Sequence, residues 1–105
     1  SFATEWSSNG DGNDAYLELD FGQVRRIAEV RFQSRQMTDG TSIIQRLRLY
    51  GDGDEAYGSF NTPSPAVVYT LELDPAPSTR VLRMEVEQST GGNTGVKELQ
   101  AFEAP

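Results

Sequence analysis

Apolar and polar residues alternate with a period of two over most of the chain. Leu17, Leu19 and Phe21 fall on one face, Glu18 and Asp20 on the other. Ala28, Val30, Phe32 and Ser34 alternate with Glu29, Arg31, Gln33 and Arg35, and Leu47 and Leu49 alternate with Arg46 and Arg48. Tyr69, Leu71 and Leu73 alternate with Thr70 and Glu72, while Leu82, Met84 and Val86 alternate with Arg83, Glu85 and Glu87. Successive side chains of a strand point to opposite faces, so each run predicts a strand with one buried and one wet face. No stretch carries the apolar stripe of a long helix. Val96, Leu99 and Phe102 are spaced by three, as in one helical turn. A last strand over 97–102 is the preferred reading, because Ala101-Phe102 near a terminus suits sheet closure.

Turn chemistry separates these runs. Residues 9–14, Asn-Gly-Asp-Gly-Asn-Asp, form a long polar loop, and Gly22-Gln23 is expected to make a tight connection. Asp39-Gly40 and Asp52-Gly53 carry a hairpin signal. Pro63, Pro65, Pro75 and Pro77 sit between strands, where a missing N–H does least harm. The loop at 89–95 contains Gly91, Gly92 and Asn93. Short strands with such punctuation predict an all-β fold, an antiparallel β-sandwich or jelly roll. If Ser59-Phe60 adds a short strand, loops 7–15, 35–42, 61–66 and 89–95 gather at one end. Loops 22–24, 51–57 and 74–80 gather at the other. The first end has the longer, Asn- and Asp-bearing loops, and binding residues tend to sit on such loops over a rigid scaffold.

Composition narrows the chemistry. The 105 residues suit a single domain, 1–105. There is no Cys and no His. That excludes disulfides, thiol nucleophiles, Ser-His-Asp triads and His- or Cys-ligated zinc within this chain. The net charge of -7 opposes binding to nucleic acid or anionic lipid and favours neutral ligands, cations or basic partners. No apolar run approaches the roughly 20 residues of a membrane span. A start at Ser1-Phe2-Ala3 is what an excised part of a larger protein would show. Sixteen carboxylates make a glycosidase-like acid pair arithmetically possible. On exposed strand faces they lack the desolvation a general acid needs, so catalysis is not expected.

Thr4-Glu5-Trp6-Ser7-Ser8, residues 16–22 and residues 92–99 together resemble, in this order, motifs of the discoidin-like or coagulation-factor type C domains, which include family 32 carbohydrate-binding modules. Thr4-Glu5-Trp6-Ser7-Ser8 resembles their "T-x-W-S-S". Residues 16–22, Tyr-Leu-Glu-Leu-Asp-Phe-Gly, are similar to "W-I-x-I-D-L-G", and a strand ending in Arg35 follows. Residues 92–99 are similar to the closing "G-L-x-E-I" strand. The resemblance implies an eight-stranded, galactose-binding-domain-like jelly roll, appended to secreted or surface proteins, extracellular or periplasmic. It implies binding of glycans, lipid head groups or proteins without catalysis. The family's first strand would precede Thr4 and is missing here. Many relatives hold a structural Ca²⁺ with an acidic loop, a Thr and a Glu. Thr4 and Glu98 match two of those ligands, and Ser1 stands where the loop should be, so the site is incomplete or altered. Relatives that grip galactose often use a His, and this chain has none.

Candidate ligand-binding residues cluster on the first loop end. Arg35 and Gln36 supply planar donors and an amide that suit sugar hydroxyls, though an Arg–carboxylate brace of the loop is equally consistent. Asn93 either contacts ligand or shapes its glycine-flanked turn. Asn13 and Asp39 would assist. The Asn9-x-Asp11-x-Asn13 spacing resembles the opening of a calcium loop, but Asx-turns explain it better. The acidic run 52–55 is more simply a hairpin than a cation site. Trp6 stacks on a sugar or fills the sandwich core, the core being preferred, and Tyr57, Phe60 and Tyr69 are alternative rings. Tyr57 is the ring expected to be most exposed. Outward Arg31, Arg46, Arg48 and Arg83 are expected to pair with Glu29, Glu85 and Glu87 across strands. The leading expectation is a weak glycan-binding module tethered to catalytic or surface domains. The alternative is a protein-interaction or structural module.

Overall fold

The computed structural model describes residues 16–35, 43–90 and 96–105. They form six strands: β1 (Tyr16–Ser34), β2 (Ile44–Tyr50), β3 (Ala56–Asn61), β4 (Tyr69–Glu72), β5 (Ser78–Ser89) and β6 (Val96–Glu103). A single turn of 3-10 helix, Asp52–Asp54, joins β2 to β3. No helix among the described residues is long and apolar enough to cross a membrane. All pairings are antiparallel. One layer runs β3-β2-β5 and the first half of β1; the other holds β4 and β6 on either side of the second half of β1. Because β1 belongs to both layers, the sandwich closes along it into a near-barrel, with β3 and β4 as the ends of the path.

The Gly22-Gln23 connection differs from expectation. It does not separate two strands. The ladder with β5 slips between Asp20 and Arg25 and then resumes at Arg25–Thr79, so one strand runs through the corner. Gly22 takes φ +78 there, a conformation costly to residues with a Cβ. Asp20 Oδ1 accepts a hydrogen bond from Gly22 N at 2.8 Å and pins the bend.

The inward-facing positions supply the core: Leu17, Leu19 and Phe21 from β1, Leu47 and Leu49 from β2, Leu71 from β4, and Leu82, Met84 and Val86 from β5. One phase differs. Ile27 is buried and Ala28 is only half-buried, because the pairing of β1 with β6 shifts between Ile27 and Glu29. That irregularity moves the alternation by one residue and puts the larger side chain in the core.

Outside, Arg48 and Arg46 reach Glu87 across strands at 3.2 and 3.6 Å. Arg31–Glu29 and Arg83–Glu85 instead pair within their own strands, each at 2.8 Å. Residues two apart share a face, and the arginine stem is long enough to close on its neighbour. Arg31 also lies 4.5 Å from the centroid of Phe102 and Arg83 4.8 Å from that of Tyr50.

The registers set the ends of the sandwich. Ser34 pairs with Val96, Ile44 with Ser89 and Arg46 with Asn61, so the connections after β1, β3 and β5 open at one end. Arg26 pairs with Ser78 and Tyr50 with Ala56, which places the 51–55 and 73–77 connections at the other. For these connections the expected division holds; segment 7–15 lies outside the described residues.

Candidate functional site

Hydroxyls tie the first loop end together, those of Ser34 and Thr62 buried and that of Thr90 exposed. Ser34 Oγ donates to Arg35 O at 2.9 Å and accepts from Ile44 N at 2.8 Å. This single group holds both stems of the connection between β1 and β2. Thr62 Oγ1 donates to Ile44 O at 2.9 Å, and Thr62 N donates to Gln45 O at 2.8 Å. Thr90 Oγ1 accepts from Ile43 N, and Thr90 N donates to Ile43 O, both at 3.0 Å. Loop backbone cannot use ladder partners, so its buried N–H and C=O groups need side chains, and a hydroxyl both gives and receives. Gln33 Nε2 donates to Pro65 O and Ser64 N donates to the Tyr69 hydroxyl, at 2.8 and 2.9 Å, bracing the 62–68 connection. Three connections therefore leave the sandwich from one hydrogen-bonded frame.

Arg35 stands at the mouth of that frame, half-buried, directly after Ser34. Gln36, Asp39, Asn13, Asn93 and Thr4 lie outside the described residues, as do Trp6 and the Asn9-x-Asp11-x-Asn13 spacing. Glu98 is described: it stands half-buried on β6, opposite Gln33. It supplies one carboxylate where Ca²⁺ takes about six to eight oxygens, and no cluster of three or more potential metal ligands occurs among the described residues. The described residues therefore do not by themselves make a calcium cage.

Sequence reasoning missed the clamps. Ser34 held a signal, being a hydroxyl in an otherwise apolar inward row. Thr62 and Thr90 lie beyond strand ends, where periodicity says nothing. Val67 and Val68, exposed to 46% and 41%, were also missed and add an apolar lip beside Tyr69. Among the rings, Tyr57 differs from expectation: it is half-buried and packs against the core at the far end, with Phe60. Burial pushes its hydroxyl pKa up. Tyr16, 38% exposed, is the most exposed ring among the described residues.

At the far end the acidic run 52–55 is a hairpin. Asp52 Oδ2 and Oδ1 accept from Arg80 N and Val81 N at 2.8 and 3.1 Å, and Asp52 N donates to Thr79 Oγ1 at 2.9 Å. Those backbone hydrogen bonds hold the Asp52 carboxyl below its ordinary pKa. Asp54 meets Arg83 at 2.9 Å. The carboxylates of Asp52 and Asp54 are thus engaged within the protein, while Glu55 is exposed.

No protein-family model and no curated protein matches the sequence. Solved structures do match. The family 32 carbohydrate-binding module of Clostridium perfringens NanJ, in complex with galactose, matches with a TM-score of 0.71 at 18% identity, covering 89% of this chain and 70% of that one. A fucose binding module of Streptococcus pneumoniae, SpX-3, matches with a TM-score of 0.68 at 10% identity, over 99% of this chain and 96% of that one. A further Streptococcus pneumoniae fucose binding module matches at 0.65 and 13% identity, over 90% and 67%. The chain has the discoidin-like, galactose-binding jelly-roll fold that these modules share.

Proposed function

We propose that this domain is a non-catalytic carbohydrate-binding module that takes its glycan at the end where the connections after β1, β3 and β5 meet. The observation that carries this reading is the frame of Ser34, Thr62 and Thr90, which fixes three loop stems around Arg35 on a fold used by sugar-binding modules. Arg35, Gln36 and Asn93 hydrogen-bond sugar hydroxyls, with Asn13 and Asp39 assisting. Binding is weak, because a shallow polar site exchanges water hydrogen bonds for protein ones at small net gain. The module works tethered to catalytic or surface domains of a secreted or surface protein, where local concentration supplies what affinity lacks. A structural Ca²⁺ held by Thr4 and Glu98 belongs to the same reading.

Binding fits the electrostatics better than catalysis does. Asp20 and Asp52 have lowered pKa values, held down chiefly by backbone hydrogen bonds. A general acid needs the opposite shift. An array of soluble glycans tests the proposal. Arg35→Ala and Asn93→Ala are each expected to weaken the best hit by about tenfold, the worth of one charge-assisted or bidentate contact, without lowering the melting temperature. Unchanged binding in both variants, or turnover of a glycan by this chain, would overturn it.

A further inference from the structure

A groove of about 480 Å³ lies at the far end, between β3 and the connection from β4 to β5. Tyr57, Phe60, Leu73, Pro75 and Pro77 give it apolar walls. Tyr57 and Phe60 are half-buried against the core, so their rings are fixed. Glu55, Glu72 and Asp74 line the same groove and are exposed, and no lysine or arginine lines it.

Unpaired charge gathers at this groove, although Glu18 and Glu98 likewise make no ion pair with a described residue. Asp20, Glu29, Asp54, Glu85, Glu87 and Glu103 are each in contact with an arginine. Glu55, Glu72 and Asp74 have no ion pair with any described residue. Three uncompensated carboxylates around two aromatic rings are the surroundings that attract a cation, which gains both from the charges and from the ring faces.

Backbone supplies the second part. Among the described residues β3 pairs only with β2, and β4 only with β1. Both strands bordering the groove thus have one edge without a ladder partner among the described residues, a template for an added strand. Gly58, exposed in the middle of β3 at φ +129, carries no Cβ beside the Phe60 ring, where one would lie 3.7 Å away, so that ring stays open to the groove. A sugar offers hydroxyls but no ladder. An extended peptide offers both the ladder and, on alternate residues, a cationic side chain.

We propose that this groove is a second binding site, for an extended peptide segment bearing lysine or arginine. The segment pairs with the free edge of β3 and lays a cationic side chain over Tyr57 and Phe60, among Glu55, Glu72 and Asp74. The site is independent of the glycan site and stands or falls separately.

The probe is a fluorescein-labelled hexapeptide of alternating valine and lysine, followed by anisotropy. Expected results are binding that weakens with salt, and about tenfold or greater loss in the triple variant Glu55→Gln, Glu72→Gln, Asp74→Asn at unchanged melting temperature. A control variant, Glu18→Gln, Glu85→Gln, Glu103→Gln, removes the same charge outside the groove and is expected to bind within about twofold of the parent. Methylating alternate backbone nitrogens of the peptide is expected to abolish binding. Equal loss in both triple variants would reduce the effect to bulk charge and overturn the proposal. Indifference to backbone methylation, or tighter binding of a glucosamine hexamer than of the peptide, would overturn it as well. The glycan profile on the array is expected to be the same in parent and groove variant.

Discussion

Ser34→Ala removes one oxygen from the centre of the loop frame. Ser34 and Ile44 are each only 1% exposed. The lost hydroxyl had donated to Arg35 O at 2.9 Å and accepted from Ile44 N at 2.8 Å. The two losses are unequal. Arg35 is half-buried, so its carbonyl has water within reach and forfeits about 1 kcal/mol or less. The Ile44 N–H is walled in and is left without a partner, which costs about 1–3 kcal/mol. A total of about 1–4 kcal/mol follows, and at about 4 °C per kcal/mol for a domain of this size the melting temperature falls by about 4–16 °C. Thermal melts followed by circular dichroism measure it directly. Urea titration should show a lower midpoint at unchanged slope, since the unfolded surface is the same. A variant melting within about 2 °C of the parent would refute the reasoning, because the Ile44 N–H would then have another partner. At 25 °C the variant remains folded, so its glycan affinity is measurable, and weaker binding is expected because the backbone of Arg35 has lost its anchor.

Three further outcomes are expected. Asp20 and Asp52 have folded pKa values below the ordinary 3.8. Their contribution is therefore complete above that pH and is lost as pH falls through the lowered folded values; acid melts of Asp52→Asn should converge on the parent as pH falls below 3.8. Gly51→Ala drives a Cβ into the hydroxyl end of the Tyr57 ring; overpacking should cost about 1–3 kcal/mol, read as a lower melting temperature, with hexapeptide binding lost and the glycan profile kept. If Thr4 and Glu98 hold calcium, EDTA should lower the melting temperature in parent but not in Glu98→Gln, by about 10 °C when free calcium had stood at about a hundred times its Kd. An EDTA-insensitive parent removes calcium from the reading.

The two layers were legible because burial enforces a period. Every inward residue of β2 and β5 expected from alternation, from Leu47 to Val86, is in the core. Legibility failed where one residue slips. The irregularity at Ile27/Glu29 reverses the phase for Ala28, and the corner at Gly22 joins two runs whose separate periods looked like separate strands. Both depend on the partner strand, which a single run of residues does not contain. At the candidate site, Arg35 was placed by its position after an outward-facing row. The groove was invisible, because Tyr57 and Pro75 lie 18 positions apart and meet only when β3 and β4 become opposite edges of one fold.

The two ends are built by different means, and the difference bears on how the module would work. At the loop end neutral hydroxyls satisfy the backbone, so the frame is indifferent to pH and salt in the ordinary range, and specificity is left to whatever side chains the loops carry. At the far end a carboxylate, Asp52, does the same task by accepting two backbone N–H groups beside Arg80, and the neighbouring Glu55, Glu72 and Asp74 stay uncompensated. Three uncompensated carboxylates thus stand on the side facing away from the proposed glycan. A basic segment of an adjoining domain engaging that side would orient the loop end outward. It would do so without occupying the loop end, since among the described residues none lines both. Orientation of this kind raises effective concentration at a glycan surface with no change in intrinsic affinity. A tethered parent protein should therefore lose avidity, but not single-site affinity, when Glu55, Glu72 and Asp74 are neutralised. Equal avidity on immobilised glycan before and after neutralisation would leave the groove without a part in presentation.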